Sequence, residues 1–542
     1  MKTIAALIVD LDKSPIGTAS RLAEPVAGAP VLRRTVDRLQ RCRNLSDIVI
    51  TAPRHQCDRV RAILAGTNAV VEPTDTPTPP YQRLVAVARK WSLDSWRGGL
   101  GGSAFFDEHT NTAVHTALAR QHSADAVAVA APGSALIDPA MLDAMIEHHA
   151  RHAETARLTF AQAPPGLAAT IIQTDVLAEL AAQNAPPGWG LAYKPDAPSM
   201  DVAFRACCYA APPQVRHASG RLTADTARSV RTIEAVLATY DDPTAAQVGG
   251  WLTASAAQDI EPVPHEVEVE LTTDDPLPET RLRPRGDRVP SRGPLPVEYV
   301  DRIARELSAD NDDALVVLGG YGDPVLHPRF AHVLGALRRG GVFGICVYTT
   351  GQSLGDEALG AIIEHQVDVV VVHLDAHTPA TYRKLNGGEL AVATGAVGRL
   401  ITARTDAGQP APIVLPQMTK CVENVEQMDA FFDDWTRKTG CAVIAGYSNY
   451  AGRLDDLAVT DTSPPQRAPC RRLRRRCVVL ADGSITACDQ DVDATLILGH
   501  LGGATLADAW RGPSAARLRA VHDSNRLGDV DPCNRCTQWH RR

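Results

Sequence analysis

The sequence predicts an α/β protein with a cysteine-rich C-terminal tail, and three observations support this prediction. Short runs of β-branched or small apolar residues alternate with longer helical stretches from residue 1 to about 245. The same alternation resumes after residue 264, with six or more further strands. Five of the 12 cysteines fall in the last 73 residues. We therefore expect two α/β regions followed by a small cysteine-based domain.

The N-terminal region, residues 1–245, has the strand–helix pattern of a sheet domain. Runs such as "TIAALIV", "DIVIT" and "DAVAVAA" are typical of strands, whereas "VLRRTVDRLQRC" and "PAMLDAMIEHHARH" are typical of helices. A polar, proline-containing stretch, "SAAQDIEPVPHE", follows this region. It predicts a linker over residues 246–264.

The second region, residues 265–455, predicts parallel strands that alternate with helices. Its strand-like runs are "EVEVELTT", "ALVVLGG", "FGICVYTT", "VDVVVVHLD", "APIVLPQM" and "CAVIAGY". Six such runs with helices between them favour a partial (β/α)6 barrel of the TIM type. The proline-rich "TSPPQRAPC" then introduces the tail, which we assign to residues 466–542.

Composition narrows the classes of partner and the compartment. The net charge of −8 is spread without long blocks of one sign, which argues against a nucleic-acid-binding protein. No run approaches the roughly 18 apolar residues of a membrane span, and the first apolar run is too short for a signal peptide. Twelve cysteines without an export signal are unlikely disulfide partners in a reducing compartment. These features predict a cytoplasmic protein.

Four cysteines of the tail have the pattern of a metal or cluster site. Cys470 and Cys488 flank a hairpin that is predicted around Asp482-Gly483, and Cys533 and Cys536 form a CxxC. Four thiolates can bind a [4Fe-4S] cluster or a tetrahedral zinc ion, and their spacing alone favours neither. The alternative is a set of unrelated buried cysteines, which the CxxC and the local concentration of thiols disfavour.

The tail resembles the SPASM domain of radical S-adenosylmethionine (SAM) proteins. The resemblance rests on a Pro-Cys, a DG hairpin that ends in cysteine, "LGHL", "LADAW" and the closing CxxC. It implies one auxiliary [4Fe-4S] cluster. The ligands would be Cys470, Cys488, Cys533 and Cys536, whereas Cys477 has no counterpart in the family pattern.

Residues 265–455 resemble the radical SAM core, but the defining cysteine motif is absent. "EVEVELTT", "VVLGGYGDPVLHP", "HLDAHTPATYRKLNGG" and "QMTKCVENVEQMDAFFDDW" resemble segments of that core in the correct order. The CxxxCxxC positions of the family fall on Asp275, Glu279 and Leu282. None of these residues offers a soft thiolate ligand, so we expect no second cluster and no reductive cleavage of SAM.

The glycine-rich loop of the core leaves two interpretations open. The resemblance implies residual SAM or nucleotide binding through Gly319, Gly320, Asp323 and Asp375. Asp323 stands where the family usually has a longer glutamate. The alternative is that the two glycines only form the turn from strand to helix.

The N-terminal region resembles sugar nucleotidyltransferases of the cytidylyltransferase type, which implies a Rossmann-like, GT-A-like domain. "TASRLAEPVAGAPVLRRTVDRL", "SADAVAVAAPGSALIDPAMLDAMIEHH" and "GRLTADTARSV" carry the resemblance. Arg21 and Asp225 match its phosphate and metal residues. The lysine of the opening loop is replaced by Glu24 or Pro25, and the first metal aspartate by Gly133. One remaining carboxylate makes a poor Mg²⁺ site, so nucleotidyl transfer is expected to be impaired.

The modules together resemble spiro-SPASM-type fusion proteins and suggest two functional hypotheses. The first is a cluster-binding protein without radical activity, which acts as a scaffold or ligand-binding protein in sugar-nucleotide or envelope metabolism. The second is an active enzyme, either a divergent nucleotidyltransferase or an oxidoreductase that uses the tail cluster. The expected partners are a nucleotide or sugar nucleotide and another protein, with no nucleic acid and no membrane span.

Overall fold

The structure is a computed structural model that describes residues 1–255, 261–528 and 530–541. The chain divides into two compact units, Met1–Asp259 and Ile260–Arg542. Both units have mixed α/β architecture with parallel strands, so the predicted fold class is confirmed.

Unit 1 is built on a seven-stranded sheet with the strand order β5-β4-β1-β6-β8-β7-β9. Its first four strands in that order are parallel, β8 is antiparallel to β6 and β7, and β9 runs parallel to β7. The strands of this sheet are β1 (Thr3–Ile8), β4 (Ile48–Pro53), β5 (Val70–Thr74), β6 (Ala126–Val129), β7 (Leu158–Ala161), β8 (Thr170–Gln173) and β9 (Cys208–Tyr209). The short strands β2 (Pro25–Val26) and β3 (Ala29–Pro30) form a separate antiparallel pair.

Ten α-helices cover the sheet of unit 1 in the described residues. They are α1 (Val31–Leu39), α2 (Cys57–Ile63), α3 (Pro80–Arg89), α4 (Phe105–His109), α5 (Thr112–Gln121), α6 (Pro139–Arg151), α7 (Thr174–Ala182), α8 (Pro213–Arg216), α9 (Ala227–Thr239) and α10 (Ala245–Ser255). Helix α10 begins the segment 246–264 for which the sequence predicts a linker. Its Val248 and Leu252 are buried in the apolar core of unit 1, and residues 256–260 lie outside the described residues.

Unit 2 is built on a nine-stranded sheet with the order β15-β14-β13-β12-β11-β10-β16-β17-β18. The strands from β10 to β15 are parallel neighbours, as expected of a partial barrel. They are β10 (Glu266–Glu270), β11 (Leu315–Gly319), β12 (Gly344–Thr349), β13 (Val369–His373), β14 (Ile413–Lys420) and β15 (Val443–Gly446), and the tail adds β16 (Arg476–Val479), β17 (Ser484–Thr486) and β18 (Ile497–His500).

The tail therefore continues the sheet of the barrel. Strand β16 runs parallel to β10, and β17 and β18 follow as antiparallel neighbours. This arrangement places the segment after Cys470 next to the first barrel strand, within one compact unit.

One face of the sheet in unit 2 packs against helices. Val267 and Val269 of β10 point to this face and belong to a core that includes Ile303 and Leu307 of a neighbouring helix. Because side chains alternate along a strand, Glu266, Glu268 and Glu270 point to the opposite face. The helices are α11 (Val297–Asp310), α12 (Phe330–Arg339), α13 (Asp356–Glu364), α14 (Pro379–Asn386), α15 (Leu390–Asp406), α16 (Met428–Thr439), α17 (Leu506–Arg511) and α18 (Pro513–Asp523).

Helix length and polarity bear on membrane insertion. Within the described part of the chain, every helix is too short or too polar to span a bilayer.

Candidate metal centre and barrel interior

The four cysteines predicted as ligands lie around one cavity at the end of unit 2. Cys470 precedes a short 3-10 turn, Cys488 follows β17, and Cys533 and Cys536 lie in the final loop. Leu473, Leu496 and Trp539 provide apolar walls. The remaining lining residues are Arg467, Gln490, His522 and Pro532. The structure thus brings together side chains that are separated by up to 66 positions in the sequence.

The environment of these thiols suits a bound cation or cluster. Cys470 is buried and the other three are partly buried. Burial, reinforced by the Cys536 and Cys470 thiols, raises the pKa of Cys533 to about 12, and burial also raises the pKa values of Cys488 and Cys536. Four crowded thiols ionise together only when a positive centre binds them, because the ligand form is the thiolate. The donor set therefore fits either a [4Fe-4S] cluster or zinc.

Cys477 lies outside this cavity. It is on β16, opposite Val267 in the sheet register, and it belongs to the apolar core below the helices. Burial raises the pKa of its thiol to about 12. Cys477 is therefore a packing residue and a suitable control for the four cavity cysteines.

An ion-pair network adjoins the cavity and extends toward the barrel. Arg472 and Arg476 each place a guanidinium nitrogen 2.6 Å from Asp489, and Arg472 Nη1 is 3.9 Å from Cys488 Sγ. Burial would raise the pKa of Asp489, but the two arginines outweigh it and lower the value. The sequence alone indicates no role for Arg472 and Arg476, and their partner Asp489 directly follows the predicted ligand Cys488.

The loop after β10 contains the three positions at which the radical SAM family has cysteines. At two of them, the side chains of this protein contact other residues of the same unit. Asp275 accepts a hydrogen bond from Arg285 at 2.6 Å, and its side chain is almost fully buried. Leu282 packs in a small apolar cluster with Leu385 and Tyr447. The third position, Glu279, is exposed.

The polar residues predicted to bind SAM or a nucleotide also have internal partners. Asp323 Oδ2 accepts hydrogen bonds from the Thr349 hydroxyl and from the Thr350 backbone and hydroxyl, each at 2.9 Å. Asp375 accepts a bidentate pair of hydrogen bonds from the Arg283 guanidinium group, each 2.9 Å long. Both carboxylates therefore hold the ends of the barrel strands together.

Of the two glycines in this loop, only Gly320 has a backbone conformation that favours glycine. Gly320 has φ +84°, and a Cβ there would lie 2.8 Å from Glu270 Cβ. At Gly319, a Cβ would lie 3.7 Å from Tyr348 Cβ and 3.9 Å from Glu268 Oε1, which are ordinary contacts. The backbone conformation thus explains why residue 320 is glycine. It gives no such reason at Gly319, which lies on the face of the sheet opposite the helices.

In unit 1, the structure brings the two predicted metal positions together. The backbone nitrogen of Ala224, next to Asp225, donates a hydrogen bond to the Gly133 carbonyl at 3.0 Å. A Cβ at Gly133 would lie 3.0 Å from that nitrogen, so a side chain there would require a shift. Arg21, the predicted phosphate residue, lies 3.1 Å from Glu24.

Asp225 belongs to a buried charge network that the sequence did not predict. Arg221 Nε donates to Asp225 at 2.6 Å, and Arg221 and Arg89 each approach Glu108 at 2.8 Å. Burial would raise the pKa of Glu108, but the two arginines outweigh it and lower the value to about 2. Glu108, His109 and Asp225 have ligand atoms within 4.8 Å of one another, yet Arg221 already neutralises both carboxylates.

Comparisons with known proteins agree with the arrangement of the tail. The profile of the SPASM domain, an iron-sulfur cluster-binding domain, matches residues 470–537. An uncharacterized protein of Treponema pallidum (strain Nichols) is 25% identical over 258 residues, which are 45% of this chain and 70% of that protein. A tungsten-containing aldehyde ferredoxin oxidoreductase cofactor-modifying protein of Pyrococcus furiosus is 29% identical over 115 residues, which are 21% of this chain and 32% of that protein.

Similar solved structures fall into two classes. BtrN in complex with AdoMet and 2-DOIA is 17% identical with a TM-score of 0.36, over 51% of this chain and 93% of that chain. A cytidylyltransferase from Leptospira borgpetersenii serovar Hardjo-bovis is 13% identical with a TM-score of 0.33, over 48% of this chain and 99% of that chain. Residues 470–537 match the SPASM domain, an iron-sulfur cluster-binding domain, so the predicted resemblance of the tail to that domain is confirmed.

Proposed function

We propose that the chain is an iron–sulfur protein that performs no radical SAM chemistry and acts as a ligand-binding or scaffold protein in sugar-nucleotide or envelope metabolism. One contrast carries the proposal. Four thiols line one cavity in the tail, whereas the described loop after β10 holds Asp275 and Leu282 in internal contacts where SAM-cluster ligands would be. The tail would hold one auxiliary [4Fe-4S] cluster through Cys470, Cys488, Cys533 and Cys536.

The chemistry of the cavity supports a cluster with protein ligands at all four positions. Such a cluster supplies one-electron transfer, with a potential that depends on its burial and on nearby charge. The side chains of this chain would provide the four thiolates and the apolar walls. Arg472 would provide a positive charge beside Cys488, and Asp489 would fix the position of Arg472.

Internal pairing of polar groups supports the absence of SAM cleavage. The family uses a free iron coordination site next to three thiolates, and the loop of this chain offers carboxylate, carboxylate and isobutyl side chains at those positions. Asp323 and Asp375 would have to give up the hydrogen bonds from Thr350 and Arg283 before they could bind a SAM ammonium group. Each such exchange would leave a buried donor of Thr350 or Arg283 without its acceptor, which is energetically costly.

Pairing of Asp225 with Arg221 likewise supports weak, Mg²⁺-insensitive nucleotide binding in unit 1. A carboxylate that already accepts hydrogen bonds from a buried guanidinium is a poor ligand for Mg²⁺, which prefers free oxygen ligands. The surviving Arg21 keeps a divergent nucleotidyltransferase as the alternative function. Release of pyrophosphate from a nucleoside triphosphate and a sugar acceptor, dependent on Asp225, would favour that alternative.

The cluster proposal predicts about four irons per chain after anaerobic purification. Cys533→Ser and Cys536→Ser should each lower the iron content, because each removes a thiolate from the cavity. Cys477→Ser should retain the iron, since Cys477 lies in the apolar core. Iron and zinc are measured together by mass spectrometry. Stoichiometric zinc without iron would disprove the cluster.

The absence of radical chemistry predicts that the reconstituted, dithionite-reduced protein forms no 5′-deoxyadenosine from SAM. The product is measured by chromatography against a cluster-free control. Formation of several equivalents per chain would contradict the proposal and show that the loop after β10 accepts a catalytic cluster.

A further inference from the structure

Helix α18 places His522 at the wall of the cavity that the four tail cysteines line. Ala515, Leu518 and His522 are buried and recur every three or four positions, so they lie on one face of the helix. Leu518 packs in an apolar cluster with Cys470 and Trp539. His522 is 3% exposed and lines the cavity together with the cysteines. Its imidazole group is therefore shielded from bulk water at the proposed cluster site.

One hydrogen bond assigns the proton of the His522 ring. The backbone nitrogen of Cys470 donates to His522 Nδ1 at 3.4 Å. A ring nitrogen that accepts a hydrogen bond from an amide uses its lone pair and carries no hydrogen. In the neutral imidazole the hydrogen is then on Nε2, which can only donate. The His522 side chain therefore has an N–H donor at Nε2.

This donor has no acceptor in the described part of the chain. His522 Nε2 is buried and makes no hydrogen bond there, and the same holds for Nε of Arg467, which also lines the cavity. Buried N–H groups nearly always have an acceptor. Unpaired donors at the wall of a cavity therefore indicate that an acceptor occupies the cavity. A cluster supplies such acceptors, because its sulfides and its thiolate ligands carry negative charge.

Two of the four predicted ligands already accept hydrogen bonds at sulfur. The backbone nitrogen of Gln538 donates to Cys536 Sγ at 3.2 Å, and that of Gln490 donates to Cys488 Sγ at 3.4 Å. Within the residues that the structure describes, the Sγ atoms of the other two ligands have no such donor. The His522 ring lies against one of these, Cys470, through the hydrogen bond at Nδ1.

We propose that His522 Nε2 donates a hydrogen bond to a sulfur atom of the auxiliary [4Fe-4S] cluster, beside its ligand Cys470, and thereby raises the reduction potential of the cluster. Hydrogen bonds to sulfur are among the features that set such potentials. Reduction adds one electron and makes the sulfur atoms more negative, so a donor stabilises the reduced form more than the oxidised form. The inference rests on the proposed function, in which the tail holds this cluster.

Replacement of His522 by phenylalanine removes the donor and keeps a ring of similar size in the cavity wall. The reduction potential should become more negative by at least about 59 mV, which is a tenfold change in the ratio of reduced to oxidised cluster for one electron. The potential is measured on the full chain by dithionite titration with redox mediators, followed by electron paramagnetic resonance of the reduced cluster. An unchanged potential in folded, iron-loaded His522→Phe would overturn the proposal.

His522→Gln separates the loss of the hydrogen bond from the loss of packing. The amide nitrogen of glutamine reaches about as far from the backbone as Nε2 of histidine and also donates. This variant should therefore recover at least half of the shift that His522→Phe produces. His377→Phe, at an exposed position before α14, is the control and should keep the potential of the unchanged protein. Equal shifts in His522→Gln and His522→Phe would show an effect of packing and overturn the proposal.

A spectroscopic measurement on the unchanged sequence does not depend on how the variants fold. The full chain is labelled with 15N-histidine, reduced, and studied by pulsed electron paramagnetic resonance. A weak magnetic coupling between the cluster and an imidazole nitrogen should appear, and it should vanish in labelled His522→Gln. Absence of this coupling in the unchanged protein would overturn the proposal.

The inference and the proposed function fail in different ways. Iron and zinc are measured on the same samples as the potential. A full complement of iron with no effect of His522 would overturn this inference alone. Zinc without iron would overturn both, because no cluster sulfur would then be present. Loss of iron from folded His522→Gln would show that His522 is a ligand, and it would overturn the hydrogen bond while leaving an iron–sulfur protein.

Discussion

Buried arginines neutralise the carboxylates in the interior of both units. Arg221 pairs with Asp225 and Glu108 in unit 1, and Arg292 Nη1 lies 3.2 Å from Glu270 in unit 2. A carboxylate that is held this way has little capacity left for a metal ion or an ammonium group. Glu268 differs, because its nearest guanidinium nitrogen, on Arg476, is 4.0 Å away.

Replacement of Arg221 by methionine tests the network in unit 1. The change keeps the apolar stem but leaves Glu108 and Asp225 buried with fewer cations, so the free energy of unfolding should fall by about 3–5 kcal/mol. Arg151→Met, at an exposed helix end, should change it by less than about 0.5 kcal/mol. Urea denaturation followed by circular dichroism measures both. A loss below about 1 kcal/mol for Arg221→Met would mean that the network contributes little.

Site residues that belong to a recognisable local motif, such as the tail cysteines, could be predicted from the sequence. The partners in buried ion pairs could not. The CxxC, the cysteine after the DG hairpin and the Pro-Cys that precedes it identify four thiols, and the structure places them around one cavity. Arg283 and Asp375 are 92 positions apart, and neither has a local pattern that indicates the other. Ion pairs of this kind depend on strand order, which periodicity does not give.

At the scale of elements, the turn after β11 requires glycine for a structural reason. Gly320 has a positive φ and lies against Glu270 of the neighbouring strand. The strand-like run "EVEVELTT" predicts β10 correctly. The parallel pairing of β16 with β10 could not be predicted, since it joins segments about 210 residues apart without a local signal.

Alanine substitutions separate the two glycines of this turn. Gly320→Ala should lower the free energy of unfolding by about 2–4 kcal/mol, because it combines a strained φ with a Cβ contact of 2.8 Å. Gly319→Ala should cost less than about 1 kcal/mol, since its Cβ meets only ordinary contacts. Thermal and urea unfolding measure the difference. Equal losses would contradict the backbone explanation.

At the scale of the whole molecule, the chain contains two units with separate apolar cores. The core of unit 1 includes residues such as Leu32 and Ile50, and the core of unit 2 includes residues such as Val316 and Val370. Helix α10, within the predicted linker, contributes Val248 to the first core. An apolar helix with little periodicity is hard to distinguish from a linker in sequence alone, because its burial depends on tertiary contacts.

Separate cores predict that residues 1–255 and 261–542 fold when they are produced as separate chains. Each piece retains a complete sheet and its helices, so each should unfold cooperatively, and the iron should remain with residues 261–542. Calorimetry of each piece measures whether it unfolds in a single cooperative transition. As a control, a break after residue 151 within the 1–255 piece divides its sheet between β6 and β8, so neither residues 1–151 nor residues 152–255 should fold. Failure of residues 261–542 to fold or to retain iron, with residues 1–255 folded, would show that the cluster-binding unit needs its N-terminal neighbour.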